Sequence, residues 1–218
     1  MKGLLIKDFK LLKNQMNFYL VICAIGVVLM LTQGNTFILI SYGVIMFSMF
    51  TLSTISYDEF DNGTAFLFTL PVSRKLYVAE KYVFGFAAAV IPWLVTTVFA
   101  GVYTIIKEPG TDLTEWLLTA CVMLCAAFLL LAVTLPAQLK FGADKGRIAL
   151  FGVVGAVVVL GVAISYILKA LGIPLADILN NLSTVGLAGA VAGVTVFCIL
   201  LWLISFSISL KIMEKKQF

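Results

Sequence analysis

Six long apolar stretches constrain this chain more than anything else in it: Asn17–Gln33, Thr36–Ser56, Lys81–Ile106, Trp116–Pro136, Ile148–Leu168 and Thr184–Leu210. A helix needs about 20 mostly apolar residues to cross the hydrocarbon of a bilayer, so each stretch predicts one span. What remains between them is too short for a separate soluble domain. Only 12% of the 218 residues are charged and mean hydropathy is +1.11, which leaves too little polar surface to cover a water-soluble globule. The expected fold is an all-α integral membrane protein of six transmembrane helices, one domain over 1–218.

Orientation follows from the basic residues, which are retained on the cytoplasmic side near span ends. Lys2, Lys7, Lys10 and Lys13 precede the first span; Arg74, Lys75 and Lys81 follow the second; Lys140, Lys145 and Arg147 follow the fourth; Lys211, Lys215 and Lys216 follow the sixth. Only Lys107 and Lys169 fall on the other side. Both termini are expected in the cytoplasm, and the net charge of +4 expresses this bias rather than an affinity for nucleic acid. The long basic start and the missing small-x-small site argue against a cleaved signal peptide. Ile22 before Cys23 argues against a lipoprotein. Cys23, Cys121, Cys125 and Cys198 all fall in predicted spans and read as buried, inert thiols.

Residues 1–16 form an amphipathic pattern, with Met1, Leu5, Phe9, Leu12 and Met16 on one stripe and Lys7, Lys10 and Asn14 opposite. This predicts an interfacial helix with its lysines toward lipid headgroups, the bland alternative being an extension of the first span. Gly34–Asn35 predicts a tight hairpin between the first two spans. Asp112 and Glu115 read as a capping box for the fourth span, and Pro92 as a kink in the third. The segment between spans five and six, near Pro174, predicts a short re-entrant helix in the outer leaflet with Ile178, Leu179 and Leu182 inward. Small residues recur in the last two spans (Gly152, Ala156, Gly161, Ser165, Gly186, Gly189, Ala190 and Gly193), which suits close packing within one bundle or across a dimer seam.

The chemistry that is missing narrows the function. The chain has no histidine, no Walker A motif and no GxSxG. No charged residue falls in the middle of a predicted span, which weakens an ion-coupled carrier and an intramembrane enzyme alike. No catalytic residue, metal site or cofactor is expected in this chain.

Against that background, residues 57–80 stand out. Asp58, Glu59 and Asp61 come first, Asn62–Gly63 turns, "TAFLFTL" supplies a short amphipathic helix, Pro71 ends it, and Ser73 is placed to cap the third span. The topology puts these charges in water. Phe66, Leu67, Phe68 and Leu70 then either lie on the bilayer surface or form a knob that docks into a groove of a soluble partner.

The order Glu59, Gly63, "FTLPVSR" from Phe68 to Arg74, and Glu80–Lys81 resembles the signature of bacterial type-2 ATP-binding cassette (ABC) permeases, and "MKGLLIKDFKLL" is similar to the start of their small six-span members. The resemblance implies that 57–80 holds the coupling helix. Glu59, Phe60, Asp61, Gly63, Thr64, Phe66 and Leu67 would meet a separate ATPase subunit, which binds ATP and Mg, while Pro71, Arg74 and Lys75 fix the entry of span three. It also implies two ATPase copies, a second permease (identical or closely related) packed across spans one and five, a plasma-membrane location, and export. A charge-free interior suits amphipathic or hydrophobic peptides or antimicrobial compounds. Two other classes stay open: the substrate-capture module of an importer, and a non-transport scaffold or immunity protein.

Overall fold

The computed structural model describes residues 2–60, 63–170 and 186–216, with side chains throughout except for most of 143–170 and 186–190. The elements are α1 (Lys2–Asn14), α2 (Met16–Gln33), α3 (Thr36–Glu59), α4 (Gly63–Leu67), α5 (Arg74–Lys107), α6 (Leu113–Ala170) and α7 (Gly186–Lys215). Among the described residues, five segments are long and apolar enough to cross a membrane: α2, α3, α5, Leu113–Gly142 of α6 and Val191–Lys215 of α7. The predicted fifth span, Ile148–Leu168, is helical and continues α6 beyond a break at Gly142 (φ 77°, ψ 179°). The predicted re-entrant segment lies outside the described residues.

Local chemistry accounts for the helix ends. Gly34 takes the left-handed conformation that closes α2, its N–H bonding Met30 O, and the Asn35 side chain accepts from Phe37 N to open α3. Ser73 Oγ accepts from Leu76 N at 3.2 Å at the start of α5, as expected. Asp112 caps α6 by accepting from Thr114 N at 2.8 Å, a bond to the second helical residue rather than the third, so the capping-box geometry is not adopted. α5 runs unbroken through the buried Pro92.

Span four extends past Pro136, where the sequence pattern ends it, and neighbouring helices explain how. A proline in a helix lacks the N–H that would bond the carbonyl four residues earlier, here Ala132 O. Ser205 Oγ of α7 donates to that carbonyl instead. Tyr82 OH of α5 joins the same group, 2.6 Å from Ser205 Oγ and 2.8 Å from Ser209 Oγ. Gln138 then bonds Leu52 O at 2.7 Å and Ser56 Oγ at 2.8 Å, tying α6 to α3. In hydrocarbon no water competes for these groups, so each freed carbonyl needs a protein donor.

Apolar packing completes the bundle. One core gathers Leu52, Ile55, Tyr77, Val78, Leu131, Leu135 and Met213 near the end that carries α4. At the other end Trp116 stacks on Phe37 and donates to Thr36 Oγ1 at 3.1 Å. α1 departs from expectation: its buried residues are Leu4 and Asp8, while Phe9 of the predicted apolar stripe is 44% exposed. The helix has turned to bury a carboxylate, for reasons that the site below supplies.

Ser205→Ala should lower thermal stability in detergent by about 1–3 kcal/mol, the cost of a buried acceptor left without a donor. In a Pro136→Ala background the same substitution should cost clearly less, because the restored N–H of residue 136 takes Ala132 O. Equal costs in both backgrounds would show that the Ser205 bond does not compensate for the proline.

Candidate functional site

α3 ends where Phe60 leaves the helix at φ −62°, ψ 136°. The Thr64 hydroxyl donates to Asp58 O at 2.9 Å, folding the chain back onto the last turn of α3. Gly63 makes that close return possible: a Cβ there would stand 2.9 Å from the same carbonyl. The single turn of α4 follows, and Thr69 Oγ1 closes it on Phe66 O at 2.7 Å.

Its two faces differ. Leu67, Phe68 and Val72 pack against the core, and the Phe68 ring meets Tyr77 edge-on at 5.8 Å. Phe60 and Phe66 stand 72% and 70% exposed, with Leu70 also exposed. Thus Phe60 and Phe66 form the outward surface, Thr64 and Leu67 anchor it from beneath, and Asp61 lies outside the described residues. Pro71 is exposed on the way to α5.

The charges do not all see water, which corrects the sequence reading. Asp8, Glu80 and Lys81 are fully buried and Asp58 nearly so. Lys81 Nζ lies 2.5 Å from Asp8 Oδ2, 2.9 Å from Asp58 Oδ2, 3.1 Å from Thr54 Oγ1 and 3.6 Å from Glu80 Oε2. Tyr77 OH donates to Asp58 Oδ2 at 3.1 Å. Lys7 pairs with Asp58 and sits 3.1 Å from Asp8 Oδ1, so it faces inward rather than toward lipid. Burial by itself would raise the Asp8 carboxyl, but the ammonium groups of Lys81 and Lys7 outweigh it and hold the acid below its ordinary value of 3.8.

Asp58 is the junction. Its side chain belongs to this charge lock, and its main-chain carbonyl accepts from the threonine that positions α4. One residue therefore joins α1, the end of α3, the start of α5 and the exposed turn.

A second set of contacts comes from the C-terminal end of α7. Arg74 Nη1 donates to Glu214 O at 2.7 Å and Lys75 Nζ lies 3.4 Å from Glu214 Oε1, so these two residues at the start of α5 clasp α7. Lys216 Nζ bridges Glu59 Oε1 and Leu139 O, both at 3.0 Å. Glu59 also fills the space beside Gly142, where a Cβ would meet its Oε2 at 3.1 Å. Glu59 thus faces the bundle.

Sequence reasoning missed Asp8, Thr54, Tyr77 and Lys81. The available signal was the Glu80–Lys81 pair inside "LYVAEKYVFGF", two charges in an otherwise apolar run. Such charges demand a partner, but its identity depends on which helices pack together.

The chain is thus a multi-pass helical bundle that braces a short exposed turn at one end. Residues 3–214 match the family described as ABC-2 family transporter protein, and the chain belongs to that family. It is the permease component of an ABC transporter, a class that works with an ABC ATPase and generally leaves catalysis to that separate subunit. Comparisons with curated proteins and with solved structures found no match.

Lys81→Met should destabilise the fold by about 3–5 kcal/mol, because it strands Asp8 and Asp58 without their buried counter-charge. Lys81→Arg should cost less. An acid limb should also be present: Asp8 ionises more readily folded than unfolded, so its contribution is complete above about pH 4 and is lost as pH falls through the lowered folded value. Asp8→Asn should flatten that limb in a thermal melt series, and an unchanged limb would remove Asp8 from the lock.

Proposed function

We propose that this chain is the membrane subunit of an ATP-driven exporter and that the turn at residues 60–70 is its coupling helix. The observation that carries this reading is the double engagement of Asp58, through its side chain with Lys81 and through its carbonyl with Thr64. A push on Phe60 and Phe66 would reach α3, α5 and α1 together, because these elements meet at one residue. Closure of an ATPase dimer on the cytoplasmic side would then tilt the spans as rigid bodies between inward and outward openings.

The exposed aromatic pair supports docking into a partner groove, since buried aromatics carry much of the binding energy of such contacts. Two ATPase copies and a second permease, identical or closely related, complete the expected assembly. The apolar side chains that α2 leaves uncovered, among them Phe18, Leu20, Val21, Ile25 and Val28, offer a surface for that second permease. The spans present hydroxyls and apolar groups away from the charge lock, which favours amphipathic peptides or hydrophobic antimicrobial compounds as cargo. With lysine-rich ends inside, both termini are cytoplasmic and the bilayer is the bacterial plasma membrane.

Phe60→Asp combined with Phe66→Asp should abolish co-purification of the ATPase from the native host in mild detergent, with transport lost in parallel. Because both side chains are exposed, the melting temperature of the permease alone should stay within about 0.5 kcal/mol equivalent of wild type. Retention of a stoichiometric ATPase by the double variant would refute docking on this turn. Wild-type chain that elutes alone would favour a scaffold or immunity role instead.

A further inference from the structure

The charge lock does not balance. Lys7 and Lys81 supply two positive charges, against Asp8, Asp58 and Glu80. Asp8, Glu80 and Lys81 have no solvent exposure, so water cannot absorb the excess negative charge. An ammonium has three donor protons, and Asp8 Oδ2, Asp58 Oδ2 and Thr54 Oγ1 lie closest to that of Lys81. Glu80 is left with a 3.6 Å approach to Lys81 that forms no hydrogen bond.

Among the described residues, neither carboxyl oxygen of Glu80 has a hydrogen-bond partner, whereas Asp8 Oδ1 has the Lys7 ammonium 3.1 Å away. Both acids lie against one ammonium, Lys81 Nζ standing 2.5 Å from Asp8 Oδ2 and 3.6 Å from Glu80 Oε2. An ionised Glu80 would be a third carboxylate in this buried cluster, with no hydrogen-bond donor and no positive charge left to offset it. One proton resolves the difficulty. It neutralises Glu80, turns one of its oxygens into a donor and brings the lock to charge balance.

We infer that Glu80 holds a proton and that this proton is a structural component of the joint between α1 and α5. The groups facing it are Lys7 and Asp8 of α1, Asp58 and Thr54 of α3, and Tyr77 and Lys81 of α5. Among the described charges of α7 and its C-terminal end, Glu214 is engaged by Lys75 and Lys216 by Glu59. Asp8 faces Lys81 through one oxygen and Lys7 through the other. Release of the proton would set two buried carboxylates against each other and push α1 away from α5. The inference stands on the geometry of this chain and does not require the exporter reading.

The test is infrared spectroscopy of the purified full-length chain in detergent at about pH 7, well above the ordinary glutamate value of about 4.3. The expected result is a protonated-carboxyl stretch that moves on 13C-glutamate labelling, stays on 13C-aspartate labelling and is absent from Glu80→Gln. Absence of the band from wild type, or its movement with the aspartate label, would overturn the assignment. Melting provides the second reading. A folded state that keeps a proton the unfolded chain has released loses stability as pH rises toward the point of release. Glu80→Gln mimics the neutral acid, so it should melt as wild type does at mildly acidic pH and show a shallower alkaline decline. A decline identical to wild type would also overturn the proposal.

Discussion

The ammonium of Lys81 has no access to water, and the rest of the lysine-rich end of the bundle is arranged around that fact. A buried charge is tolerated only when it is paired and hydrogen-bonded. Lys81 finds its partners on two other elements, Asp8 on α1 and Asp58 at the end of α3. Removing either helix from α5 would break an ion pair in a dry environment. The lock therefore specifies which elements meet, more than it adds to net stability, since the desolvation of Lys81, Asp8 and Asp58 offsets much of the attraction between them.

From this joint the exposed turn inherits its rigidity. A helix of five residues has no stability of its own. It is held by the Thr64 bond to Asp58 O, by the close approach that Gly63 permits, and by Leu67 and Phe68 seated on the core. The C-terminal end of α7 braces the same region through Arg74, Lys75 and Lys216. The outward aromatic pair is thus mounted on a platform that several spans support, and movement of the platform has to move the spans.

The middle of the bundle solves a different problem by the same rule. Pro136 frees a carbonyl inside a span, and Ser205, itself engaged by Tyr82, answers it. The hydroxyls of Tyr82 and Ser205 are cross-links between α5, α6 and α7. Their value comes from the absence of competing water.

By itself the amino-acid sequence determined the solvent, the helical class, the Gly34–Asn35 turn, the Ser73 cap and the short helix between Gly63 and Pro71. Each of these rests on local composition, on a backbone preference, or on a motif that a few consecutive residues carry. Tertiary structure decided which charges are buried. Asp8, Asp58 and Lys81 are separated by 50 and 23 residues in the chain, and nothing local distinguishes Asp8 from a solvated acid on an amphipathic helix. Only when α1 packs against α5 does burying a carboxylate become cheaper than leaving Lys81 without a partner. For the same reason the outward role of Phe66 and the inward role of Leu67, adjacent in one apolar run, were not separable until the core beneath them was in place.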